Sequence, residues 1–125
     1  YKAEAFRNAL QSIRSLTGKP VGVVREELVR LCAEAGVAVV LVQELPNTGM
    51  CGATQWVTST KALVQLSLRY KTDGQFWFTF FHAAGHILLH GKRQVFVDWE
   101  TGQEDEEKAE KQANAFAAKY ISFPR

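Results

Sequence analysis

Three observations along the chain predict an α+β domain. The first 36 residues place apolar side chains at helical spacing. Residues 37–70 hold a continuous β-branched run and then alternating apolar and polar positions, the pattern of strands. From residue 76 onward helical spacing returns in two long segments. At 125 residues the chain supports one hydrophobic core and not two. A single domain is therefore expected. Residues 1–36 form its helical N-terminal part, 37–70 a small antiparallel sheet, and 76–91 and 104–121 two further helices.

Each element has its own justification. Phe6, Leu10 and Ile13 lie at helical spacing within residues 2–16, with Lys2, Glu4, Arg7 and Arg14 on the remaining surface. Gly18 and Pro20 stop this helix. A second helix, roughly 24–35, turns Val24, Leu28 and Leu31 inward and ends at Gly36. The run from Val37 to Val42 is aliphatic throughout, as in a well-buried strand. Pro46-Asn47-Thr48-Gly49 has the composition of a turn. Residues 52–58 and 62–68 read as a hairpin around Thr58-Ser59-Thr60-Lys61. In its second strand Val64, Leu66 and Leu68 share one face, while Leu63, Gln65 and Ser67 share a wetter one. Thr72 or Asp73 caps the next helix, and Gly91 ends it. Val95-Phe96-Val97 is a short apolar piece, and residues 98–107 are polar and acidic enough to form a loop. The last helix stops before Pro124.

Composition excludes several functions. The net charge is only +2, and no Lys/Arg run or basic-aromatic interleaving gives the footprint of a nucleic-acid binder. No apolar run approaches the roughly 20 residues of a membrane span, and no signal-peptide pattern opens the chain. Cys32 and Cys51 fit neither a metal-binding Cys-x-x-Cys spacing nor a disulfide framework, so reduced thiols and a cytoplasmic location are expected. The start at Tyr1 and the abrupt end at Arg125 suggest a domain of a longer protein.

The chemistry concentrates between Phe76 and His90, an apolar helix that carries all three histidines of the protein. His82 and His86 stand four residues apart, which puts their rings on one face, one turn apart. Two imidazoles so placed can close on one zinc ion. In the metallopeptidase motif His-Glu-x-x-His, the Glu is general base toward the attacking water. Here that position is Ala83. Taken alone, such a pair reads more readily as two satisfied core histidines than as metal ligands. His90 lies about 12 Å along the helix from His82, too far to share the ion, and is expected to act as a C-terminal cap or a contact near the site.

A catalytic zinc needs a third protein ligand. The last helix offers Glu110 beside a small-residue face of Ala109, Ala113 and Ala117, with Asn114 one turn on to orient a ligand histidine. On spacing alone Glu110 is equally a solvated charge like Glu104, Glu106 and Glu107.

Two segments together carry a resemblance. Phe78-Thr79-Phe80-Phe81-His82-x-x-Gly85-His86-Ile87-Leu88-Leu89-His90-Gly91, followed by Glu110-x-x-Ala113-Asn114-x-Phe116-Ala117-Ala118, is similar to the ImmA/IrrE family of zinc metallo-endopeptidases. The similarity spans roughly residues 52–124. It implies a minimal thermolysin-like core, with His82, His86 and Glu110 as zinc ligands and Asn114 behind them. It also implies a regulatory protein substrate, often a helix-turn-helix repressor or an antitoxin. Ala83 departs from the family pattern at the catalytic Glu, so an inactive peptidase is expected, whether the change is natural or introduced. In thermolysin-like enzymes an edge strand beside the zinc pairs with extended substrate. Gly52-Ala53-Thr54-Gln55-Trp56 is the candidate here, equally readable as an ordinary hairpin strand. Cys51 just before it is a candidate inhibitory thiolate. Two rivals stand beside the peptidase: a zinc-bound, non-catalytic sensor or interaction module controlling a DNA-binding domain, and a metal-free structural domain.

Overall fold

The computed structural model describes residues 1–43, 50–69, 72–90, 96–99 and 108–121. Side chains are described at all of these except 50, 51, 96–99, 108–110 and 121. The order of elements is α1 (Ala3–Arg14), α2 (Val21–Glu34), β1 (Val37–Val42), β2 (Met50–Thr58), β3 (Lys61–Ser67), α3 (Asp73–Leu89), β4 (Phe96–Trp99) and α4 (Lys108–Ile121). The domain is α+β, as its sequence pattern requires.

Helix α1 buries Phe6, Leu10 and Ile13 completely, the stripe expected of an amphipathic helix. Helix α2 begins a turn earlier than its apolar spacing suggests. Pro20 is its N-cap, with φ −57° and ψ 141°, and its carbonyl accepts from the Val23 N–H. A proline is well suited to that place because it has no N–H to leave unpaired. The buried side chains of α2 are Val21, Val24, Leu28 and Cys32; Leu31 is only half-buried, so Cys32 takes the inward place expected of it. Gly36 follows with φ +86°, the left-handed conformation that ends a helix at glycine.

The sheet has the order β1-β3-β2-β4. It is mixed rather than antiparallel, which corrects the expectation from sequence. β2 and β3 pair antiparallel as a hairpin, whereas β1 pairs parallel to β3, with Val37 opposite Ala62 and Leu41 opposite Leu66. The reason is connectivity: β2 runs back past β1, and the tight turn then returns β3 into the gap between them. The hairpin loop uses no residue of positive φ, and the register shifts between Trp56 and Thr58, a bulge that absorbs the twist mismatch of such a turn. β4 was not evident from sequence: Asp98 and Trp99, expected in a loop, are paired with Gly52 and Met50 of β2. The predicted turn at 46–49, the end of the loop at 100–107 and the stops at Gly91 and Pro124 lie outside the described residues.

One face of the sheet presents Val37, Val39, Ala62, Val64, Leu66, Gly52 and Thr54 to the core, where all are buried. The opposite face leaves Val40 and Val57 exposed and Leu63 and Gln65 half-buried, the wetter face that the alternation predicts. Helix α3 lies across the core face, with α4 packed against it. Every residue from Phe81 to Ile87 is buried, so α3 is enclosed on nearly all sides. Among the described residues no helix is long and apolar enough to cross a membrane.

Candidate metal centre

Helix α3 positions the site. Its N-cap is Thr72, whose Oγ1 accepts a hydrogen bond from the Gln75 N–H at 3.1 Å. Aromatic side chains then anchor it: Trp77 meets Phe76 and Phe80 edge-on, and Phe81 stacks on Tyr120 of α4 at 4.7 Å and 13°. Two contacts fix its depth. An added Cβ on Gly52 of β2 would lie 3.2 Å from Cγ2 of Thr79, so glycine lets the strand close on the helix. An added Cβ on Gly85 would lie 3.1 Å from Cβ of Phe116 and 3.3 Å from Cα of Ala113, so the α3–α4 crossing depends on a bare glycine.

His82 and His86 are both buried, 3% and 1% exposed, and their Nε2 atoms approach to 3.1 Å. Two nitrogen ligands about 2.05 Å from a tetrahedral ion stand roughly 3.3 Å apart, so the pair converges on one point with the separation zinc demands. Burial, reinforced by the nearby His82 and His90, pushes the His86 imidazole down from 6.5 to about 3. Its ring is thus neutral at physiological pH, the form that binds metal. The other ring nitrogen, Nδ1, lies 3.0 Å from Nδ1 of His90, and Nε2 of His90 lies 2.9 Å from Oε1 of Gln112 on α4. His90 is the C-cap residue of α3, its N–H bonded to the His86 carbonyl, as its place in the sequence suggests.

The remaining predicted residues fall as follows. Ala83 is fully buried within the apolar cluster, next to His82 on α3. Glu110 is in the first turn of α4, three residues before the Ala113 that touches Gly85. Its side chain lies outside the described residues, as does that of Cys51. Asn114 is half-buried next to Ala113. Ala113 and Ala117 are completely buried against α3, the small-residue face that the sequence suggested, while the side chain of Ala109 is outside the described residues. Among the described residues no group of three His, Cys, Asp or Glu side chains is arranged to hold an ion; they supply the two histidine donors.

The strand reading of residues 52–56 needs one correction. β2 is not an edge strand, because β3 and β4 flank it on both sides. The backbone from Gly52 to Thr54 is paired to β4, so an extended peptide cannot add there without displacing β4. Within β2, Gly52 and Thr54 face α3, and Oγ1 of Thr54 has no hydrogen-bond partner among the described residues. Trp56, about 13 Å along the strand from Gly52, packs edge-on against Tyr1 at 4.9 Å. Gln112 is the site residue that sequence reasoning missed. It lies off the small-residue face of α4, and only the folded crossing brings it to His90.

A family model for the IrrE N-terminal-like domain, of peptidase family M78, matches residues 36–124. The chain belongs to that family. The match covers well over half of the sequence and begins just before β1, upstream of the segment whose motifs carried the resemblance. This is a metallopeptidase family, and the two converging histidines lie within the matched region. No curated protein matches the chain.

Proposed function

We propose that this is a zinc-binding peptidase domain whose present sequence lacks the general base. The observation that carries the reading is the 3.1 Å convergence of His82 and His86 Nε2 atoms on a buried helix. The donor set suits zinc: two imidazoles one turn apart, with the Glu110 carboxylate on the adjoining helix as third ligand. Asn114, one turn beyond Glu110, is the residue we assign to orienting that set. A zinc ion held there supplies Lewis acidity toward the scissile carbonyl and the attacking water.

The chain's own residues define what is missing. A glutamate at position 83 would take the proton from the attacking water and return it to the leaving amine. The methyl group of Ala83 can do neither, so the chain is inert as a peptidase. The substrate class we infer is a regulatory protein such as a helix-turn-helix repressor or an antitoxin, cut once to change transcription in the cytoplasm. A second reading is favoured by Ala83 itself, which is buried in the apolar cluster and carries no ionisable group at the position of the general base. On that reading the domain is a zinc-bound sensor or interaction module acting on a fused or partner DNA-binding domain.

The experiment is zinc content of the purified chain and of Glu110→Ala, followed by proteolysis assays of Ala83→Glu. One zinc per chain, weakened in Glu110→Ala, supports the site. Proteolysis of repressor substrates by Ala83→Glu, raised about a hundredfold or more above the parent, supports the enzyme. Zinc binding with continued inertness selects the module, and no zinc in the parent chain refutes both.

A further inference from the structure

With the Gln112 amide turned so that Oε1 faces His90, the hydrogen-bonded atoms from α3 to α4 admit only one arrangement of protons when the three rings are neutral. Oε1 of Gln112 can only accept, so Nε2 of His90, 2.9 Å away, must donate. A neutral His90 then has a bare Nδ1, which must accept from Nδ1–H of His86 at 3.0 Å. That proton leaves Nε2 of His86 bare, and Nε2 of His82, 3.1 Å away, donates to it. Each ring nitrogen in the row is assigned by its neighbour, starting from an amide oxygen on another helix.

We infer that Gln112 and His90 are positioning residues that fix the tautomer of His86 and aim its bare Nε2 at the metal position. A ligating histidine is ordinarily oriented by a partner on its other ring nitrogen. Here the partner is a second histidine, itself oriented from α4. The side chain of His90 therefore works through His86 without touching the ion, and Gln112 works through His90. Gln112 is exposed and packs no core, so its replacement does not threaten the fold. Its position also makes the ligand's orientation conditional on the α3–α4 crossing at Gly85: if α4 slides, Oε1 leaves His90 and the row loses its direction.

The metal side of this inference rests on the zinc reading above, whereas the tautomer does not. The test compares the parent chain with Gln112→Leu, which removes the acceptor, and Gln112→Glu, which keeps one. Long-range proton–nitrogen NMR of the metal-free chains at mildly alkaline pH reads the tautomers, and competition with a chromophoric chelator reads zinc affinity. In the parent, His86 is expected protonated on Nδ1 and His90 on Nε2. Gln112→Leu is expected to mix the tautomers of both rings and to weaken zinc binding about tenfold, while Gln112→Glu keeps the parental tautomers and affinity. A parent His86 protonated on Nε2 overturns the inference. So does a Gln112→Leu chain whose His86 tautomer is unchanged, whatever its affinity. Tautomers that shift as expected in chains that bind no zinc uphold the row of hydrogen bonds and refute the metal reading alone.

Discussion

Replacing Gly85 by alanine sets two effects of opposite sign against each other. In an open helix interior the change stabilises by about 1 kcal/mol, because alanine is the better helix former. At Gly85 the new methyl would meet Cβ of Phe116 at 3.1 Å and Cα of Ala113 at 3.3 Å. Neither atom is the free end of a flexible side chain, so relief requires α4 to shift as a body by a few tenths of an ångström. Overpacking of this kind costs about 2 kcal/mol, so the net expectation is a loss of about 1 kcal/mol. In a domain of this size that lowers Tm by about 4 °C. Gly22 is the control: it is also helical, yet an added Cβ there meets nothing within 4 Å, so Gly22→Ala is expected to be neutral or stabilising. Urea and thermal unfolding of both variants would decide. If Gly85→Ala gained stability by the full helix-propensity increment, the close crossing of α3 and α4 would be refuted.

Further predictions follow from single groups. Thr72→Ala should cost about 1 kcal/mol in urea melts through loss of the N-cap of α3, and Asp73→Ala should cost less; the reverse order would refute the cap. Burial pushes the Cys32 thiol up to about 12, so in a Cys51→Ser chain the remaining thiol should react with a disulfide reagent only as fast as the domain opens. Prompt modification of the folded chain would contradict its burial. For the metal-free domain, His86 resists protonation down to about 3, whereas the unfolded chain takes that proton near 6.5. The unfolded state thus binds more protons through this window, and stability should fall as pH drops from 6.5 toward 3. Urea melts across the window, compared with His86→Gln, check that share; identical slopes in the two chains would refute it.

What could be read from sequence was what is local. The helical stripe Phe6, Leu10, Ile13 is fully buried, and the two histidines one turn apart converge because a single helix holds both. Pattern gives the face of an element but not its neighbour. The residues of β1 announce a buried strand, yet nothing in Val37–Val42 says that its partner is β3 and parallel, because that depends on where the chain goes afterwards. β4 is four residues long and includes Asp98, too short and too polar to show alternation. Leu31 and Cys32 are adjacent on α2, and the choice between them turns on about a hundred degrees of helix rotation, which packing against the rest of the core decides. In the site, Gly85 stood within the motif, and its role emerged only from the atoms of α4 against it. Gln112 carried no signal because its partner is on another helix.

The place of β3 also dictates how the molecule can assemble. It pairs with β2 across a tight turn, a contact that closes within microseconds in isolated hairpins. Its pairing with β1 joins segments about 25 residues apart, and the α3–α4 crossing joins residues separated by a similar stretch. Until β3 is in place, β1 has no partner among the described strands. The histidine pair needs only its own helix, whereas Gln112 arrives with the long-range crossing. On the proposed zinc reading, a metal probe added during refolding should therefore report two events, an early weak capture by one helix and a later tightening as the second helix docks.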